Sequence, residues 1–335
     1  MNSSDYTLGA INYYLTVYSG YATVIPGLIG NMINIVVFTK LKLFRGNPSA
    51  FYLIIGSIFD SWQLLFLTTP RFASIASGYD ATQTSLFWCK LRAYLVNIGA
   101  VILTTNICFA AIDQYLSTNY YLRLRQLSSY KLAQRAVATL IIFALLYAAV
   151  FLFFFEIQTI CGTFNPGFNY FYSFVHFCLF IGLFPIVISL LFSCLAYQNV
   201  RRIVRRPAAG GRRRLDHQLT AMILVRVALF VCTTVPYISL RIYQINHSPN
   251  QNNTFAVAVD QVIRTCFNTV YTIDTSAVFY IFLISSPRYR RQVRYILFKK
   301  NWRKTWANKI KRNRIVANAN QIQAIESPQP SVELD

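Results

Sequence analysis

Seven long apolar stretches punctuate this chain, near 18–40, 50–72, 88–118, 135–156, 171–200, 217–245 and 255–284, and no other feature narrows its possible folds as much. A helix rises 1.5 Å per residue, so about 20 residues cross the roughly 30 Å hydrocarbon core of a bilayer. Inside that core every backbone polar group must find its partner within the protein, which leaves helices or closed barrels. Runs of this length read as helices. Charged residues are only 13% of the chain, about half of the roughly 25% usual in soluble domains. The expected fold is an all-α membrane protein, a seven-transmembrane helix bundle. The third, fifth, sixth and seventh stretches carry Asn, Arg, Gln and Thr, which places them around the interior.

The net charge of +21 would fit a nucleic-acid binder if it covered one folded face. Instead the basic residues sit in short clusters between apolar runs, so nucleic acid is not an expected partner. Most fall at Lys40, Lys42 and Arg45, at Arg123, Arg125, Lys131 and Arg135, at Arg201 to Arg214, and from Arg288 onward. Residues 136 to 200 hold no Lys or Arg. Basic loops stay on the cytoplasmic side, so the N-terminus lies outside. The sequons at Asn2 and Asn252 both fall on the outer side and are candidate glycosylation sites. The start lacks a basic region followed by a short apolar core, so no cleaved signal peptide is expected. The division is an extracellular N-terminus over 1–17, a seven-span domain over 18–285, an amphipathic surface helix over 286–300, and a disordered cytoplasmic tail over 301–335. In the surface helix, basic and apolar residues alternate at helical spacing from Pro287 to Phe298, which suits anionic membrane lipids.

Seven cysteines include no CxxC pair and no Cys/His cluster of metal-ligand spacing, so no metal is expected. The three histidines, His176, His217 and His247, are scattered. No acid/base constellation, enzyme activity or cofactor is expected. A transporter would show inverted repeats with paired helix breaks, and none is visible. A seven-span channel subunit with its N-terminus inside conflicts with the basic loops.

Ordered motifs sharpen the reading. The first span carries Gly30-Asn31 and the second Asp60. The third begins at Cys89 and ends at Asp113-Gln114-Tyr115, with Gln114 standing 25 residues after Cys89. Pro185 lies in the fifth span and Phe230, Thr234 and Pro236 in the sixth. The seventh closes on Ser276-Ala277 and Tyr280. In this order and spacing the chain resembles the rhodopsin-like (class A) G-protein-coupled receptor family over roughly residues 18–298. Its general character is similar to invertebrate orphan and neuropeptide-type receptors.

The resemblance implies a plasma-membrane receptor that binds an extracellular ligand and activates a heterotrimeric G protein. It implies a disulfide between Cys89 and Cys161, and a transmembrane polar network of Asn31, Asp60, Ser276 and Tyr280. It gives Asp113, Gln114 and Tyr115 to the G-protein face, and Pro185, Phe230, Thr234 and Pro236 to the helix kinks and switch. An ionisable Asp60 at membrane depth costs at least about 2.5–3.5 kcal/mol and demands partners. The family's sodium ion beside that carboxylate is not matched, because Gly99 and Leu103 offer no side-chain oxygen. Gln114 replaces the family's central basic residue and cannot form its ion pair. That leaves Asp113 to pair with Arg123, Arg125 or Arg226. Thr234 stands for the family's tryptophan and Ala277 for its proline, so the proline kink of the last span is expected to be lost.

The position where aminergic receptors carry an Asp is Val96, which disfavours a monoamine. No lysine lies in the seventh span, which disfavours retinal. Arg71, Arg92, Glu156, Arg241, Asp260 and Arg264 surround the outer mouth with mixed charge, which fits a peptide ligand.

Overall fold

A computed structural model describes residues 3–41, 44, 46–158, 160–204, 211–246 and 254–299. The sequons at Asn2 and Asn252, the loop 205–210 and the tail after 299 lie outside the described residues, as does the side chain of Arg241.

The spanning helices are α1 (Ser3–Lys40), α2 (Pro48–Ser77), α3 (Leu86–Thr118), α4 (Tyr130–Phe154), α5 (Pro166–Arg201), α6 (Gly211–Asn246) and α7 (Thr254–Ser276 continued by Val278–Ser285). Among the described residues six helices are long and apolar enough to cross a membrane, and the bent α7 makes the seventh. Their starts are written in the sequence. Asn47, Ser85, Ser129 and Asn165 each stand just before a helix and accept a hydrogen bond from a backbone N–H of its first turn. Pro48 and Pro166 follow two of these caps, where a missing N–H costs nothing. Gly78, at φ +68°, ends α2 in the left-handed turn that glycine adopts freely.

Helix α1 is longer than the expected span. Its 38 residues reach about 57 Å, well beyond the hydrocarbon core, so its first turns extend past the outer membrane surface. Tyr6, Tyr14 and Tyr18 lie along its exposed side, and the rings of Tyr14 and Tyr18 stack. Helix α3 is the axis of the bundle. In its most apolar stretch 72% of residues are buried, against 28% in α4 and in α5, whose outer faces meet lipid. Small residues set the close approaches. A Cβ on Gly99 would meet Trp62 of α2 at 2.6 Å, and one on Gly30 would meet Phe279 of α7 at 2.8 Å.

Two of the spanning helices contain widened π-helical turns, at Leu64–Thr68 in α2 and over thirteen residues, Phe171–Leu183, in α5. In the widened part of α5, His176 is fully buried against Tyr147, Phe151, Tyr172 and Phe177. Its Nδ1 lies 2.9 Å from the Tyr147 hydroxyl.

Helix α7 corrects an expectation. Without a proline it still bends by 58° at Ala277. In an unbroken helix the carbonyls of Asp274 and Thr275 would accept from residues 278 and 279. Here Arg226 of α6 donates to the Asp274 carbonyl, and Asn31 of α1 donates to the Thr275 carbonyl at 3.0 Å. Side chains inserted into the backbone ladder are a recognised cause of kinks. Hydroxyls of Thr272, Thr275 and Ser276 also fold back on carbonyls of the preceding turn.

On the outer side Phe155–Ile157 and Cys161–Thr163 pair as an antiparallel hairpin with Phe155 opposite Thr163. The Cys89–Cys161 disulfide fastens it to the start of α3. Beyond α7 a further helix, α8, runs over Pro287–Arg294 and continues as a widened helix to Lys299. Taken by itself it places Tyr289, Val293 and Ile296 at helical spacing among four arginines.

Candidate functional site: an ion cluster between helices two, six and seven

Three ionisable side chains meet in the middle of the bundle. Asp60 comes from α2, Arg226 from α6 and Asp274 from α7. They are 1%, 6% and 2% exposed, so water does not screen them. Arg226 uses both arms of its guanidinium. Nη2 donates to Asp60 Oδ1 at 2.8 Å, and Nη1 donates to Asp274 Oδ1 at 3.2 Å and to the Asp274 backbone carbonyl. A planar fork with fixed donor directions suits a bridge between two carboxylates, which a single ammonium would not span as well. Charges of this kind at membrane depth persist only when paired, and they face the bundle interior.

Beside the cluster lies a cavity of about 20 Å³ lined by Ser57, Asp60, Asn106 and Arg226 together with apolar side chains. Asn106 donates to the Tyr52 carbonyl at 2.9 Å, while its Oδ1 is buried and has no partner among the described residues. The space is about the size of one water molecule, and most of its wall is apolar. Above the cluster Tyr237 of α6 and Tyr271 of α7 stack at 4.6 Å, adding a second contact between these helices.

The polar network implied by resemblance is only partly assembled. Asn31 and Ser276 share the α1–α7 contact, where a Cβ on Gly27 would meet the Ser276 side chain at 2.8 Å. Tyr280 does not reach Asp60. It is 38% exposed and donates its hydroxyl to the Pro26 carbonyl of α1. The members that complete the cluster are Arg226 and Asp274. Arg226, a candidate partner for Asp113 on sequence grounds, pairs with the deeper carboxylates instead.

At the inner end, none of the ion pairs among the described residues joins Asp113 to Arg123 or Arg125. Asp113 accepts hydrogen bonds from Ser49 at 2.5 Å and Ser128 at 2.7 Å, which ties α3 to the start of α2 and to the loop before α4. Gln114 accepts from Ser49 at 3.1 Å and donates to the Thr220 hydroxyl of α6. Tyr115 packs its ring against Phe192 of α5. Of the switch residues, Phe230 and Thr234 are fully buried, and α6 continues through Pro236. The Pro185 carbonyl accepts from the Cys108 thiol of α3.

The outer candidates do not form one cluster. Arg92 donates to the carbonyls of Phe66 and Leu67, which the widened turn of α2 presents, so its charge serves that turn. The Val96 carbonyl accepts from Gln63 of α2. Arg264 pairs with Asp260 one turn away on α7. Glu156 is exposed on the hairpin. Arg71 donates to Thr265 at 3.3 Å and lines a cavity of about 30 Å³ between α1, α2 and α7. Its walls carry Thr16, Ser19, Thr68, Asn268 and Thr269.

The family model described as 7 transmembrane receptor (rhodopsin family) matches residues 30–274, from the Gly30-Asn31 pair of α1 to Asp274 of α7. No curated protein sequence matches the chain.

Proposed function

This chain belongs to the rhodopsin family of seven-transmembrane receptors, a multi-pass plasma-membrane protein, and from that premise we propose that it binds an extracellular peptide and activates a heterotrimeric G protein. The observation that carries the proposal is the double attachment of α6. Near its inner end α6 is held to α3 by Gln114 and Thr220, and deeper it is held to α2 and α7 by Arg226. A helix held at two levels by polar contacts has two discrete arrangements, attached and released. Release of the inner end of α6 opens a cleft among Gln114, Tyr115 and the basic inner loops, where a partner protein docks. A ligand drives this only through its differential affinity for the two arrangements.

A peptide is favoured at the outer mouth for three reasons. Val96 offers no carboxylate for an amine, and α7 carries no lysine for retinal. The hairpin edge, Glu156, Arg71 and the Asp260–Arg264 pair present mixed charge over a wide rim, which suits a ligand with several polar groups. Asp113, Gln114 and Tyr115 form the G-protein face in this reading, and the arginines of α8 meet anionic lipid headgroups.

The test is nucleotide exchange on a panel of G proteins in membranes holding the full chain, challenged with a neuropeptide library, beside a Gln114→Arg variant. Ligand-dependent exchange is expected. Surface-expressed protein that stays silent with every G protein and with both side chains rejects the proposal.

A further inference from the structure

In the rhodopsin family a sodium ion sits beside the carboxylate that corresponds to Asp60, and the residues here do not fit that ion. Gly99 and Leu103 supply no side-chain oxygen. The face of α3 at Gly99 is covered by Trp62 and Gln63 of α2, which a Cβ there would meet at 2.6 and 3.3 Å. The Asp60 carboxylate that would hold the ion accepts the Arg226 guanidinium at 2.8 Å.

We propose that Arg226 is a tethered cation that stands in for the diffusible one, so that the resting bundle is held by a charge supplied from α6 and is indifferent to sodium. A guanidinium keeps its charge at any physiological pH, so it neutralises buried carboxylate continuously. Unlike a bound ion it cannot leave. Because it is bonded to α6, displacement of that helix withdraws it from Asp60 and Asp274, so the ionic state of the core is coupled to helix position and not to ion concentration. The inference rests on family membership and on the cluster's geometry. It does not depend on which ligand or G protein the chain uses.

The same geometry predicts a latent site. Removing the guanidinium leaves two buried carboxylates from α2 and α7 with the side chains of Ser57 and Asn106 on the adjoining cavity wall. Oxygen ligands of this kind attract a hard cation, and one that binds only the folded state raises the unfolding temperature.

The test uses the full chain in lipid nanodiscs. Thermal unfolding is followed with a thiol-reactive fluorogenic dye, with Cys178, Cys194, Cys232 and Cys266 replaced by serine in every chain compared, so that the signal reports exposure of the buried Cys108. Sodium chloride is replaced by N-methylglucamine chloride at constant ionic strength, so general screening does not change. The unmodified chain is expected to unfold at the same temperature in both salts. Arg226→Met is expected to unfold several degrees higher in sodium than in N-methylglucamine. The double variant Asp60→Asn/Arg226→Met is expected to lose that difference. If Arg226→Met yields folded protein in neither salt while the double variant folds, excess buried negative charge is the cause and the proposal stands. Stabilisation of the unmodified chain by sodium overturns it, as does a folded Arg226→Met variant indifferent to sodium. If neither variant folds, the unmodified chain decides the question alone. None of these readings requires a G protein, so failure here is distinct from failure of the signalling proposal.

Discussion

Gln114 at the inner end of α3 donates its side-chain amide to the hydroxyl of Thr220 on α6, a neutral bond between two helices of an otherwise basic inner face. A neutral hydrogen bond contributes about 0.5–1.5 kcal/mol net, which is about a 2- to 10-fold bias in an equilibrium. Thr220→Val removes the acceptor while nearly preserving shape. It is expected to raise ligand-independent nucleotide exchange within that range, with little change in the unfolding temperature. Unchanged exchange at equal surface expression would show that this bond does not restrain α6.

The bend of α7 depends on Asn31 as well as on Arg226. Asn31 is 1% exposed and supplies the donor for the Thr275 carbonyl beside the break. Asn31→Leu leaves that carbonyl buried without this donor, at an expected cost of about 1–3 kcal/mol. The measurement is the unfolding temperature of the purified chain. A variant as stable as the original would mean that the hydroxyls of α7 hold the bend unaided.

These contacts also show how far the sequence could be read. The number of spans and their order followed from hydropathy, because lipid demands long apolar runs whatever the tertiary packing. Cys89 and Cys161 were legible because their positions at the outer ends of apolar runs matched a family pattern. The ion cluster was legible only in part. Asp60 stood out as a lone acid in an apolar run, whereas Arg226 was assigned to the inner rim by its nearness to the arginine-rich loop. Depth arithmetic carries a signal for it: Arg226 lies 12 residues beyond Arg214, about 18 Å along a helix and roughly halfway through the hydrocarbon core. Asp274 is masked in the sequence by its neighbours Ser276 and Tyr280, which carry the family pattern. Yet an acid in a span needs a partner, and Arg226 is the α6 arginine nearest mid-depth, level with Asp60 and Asp274 on the neighbouring helices. The bend at Ala277 was hidden for a different reason. It arises from side chains of α1 and α6 that take carbonyls of α7, and no local pattern in α7 records its neighbours.

The outer hairpin gives a separate prediction. The Cys89–Cys161 bond joins positions 72 residues apart and fixes the hairpin to α3. Closing a loop of that size in the unfolded chain stabilises by about 4 kcal/mol in the chain-entropy account. Cys161→Ser is expected to lower the unfolding temperature and surface expression and to abolish response to any peptide that contacts the hairpin. Retention of full expression and response would show that strand pairing between Phe155–Ile157 and Cys161–Thr163 positions the hairpin without the covalent bond.

Charge alone does not account for Arg226, and Arg226→Lys separates charge from geometry. The guanidinium reaches Asp60 with one nitrogen and Asp274 with the other. An ammonium is a compact point charge, so lysine neutralises one carboxylate well and leaves the second more weakly held. Removing one partner of a buried ion pair outright costs about 3–5 kcal/mol, which sets the scale for Arg226→Met. Arg226→Lys is expected to fall between that variant and the original in unfolding temperature. Its ligand-independent nucleotide exchange should rise above that of the original chain, because α6 is then fastened to one neighbour where it had two. If lysine matches arginine in both measurements, the cluster needs only a positive charge and the forked bridge between α2 and α7 carries no restraint. If lysine is as damaging as methionine, the geometry of the fork is what holds the three helices together.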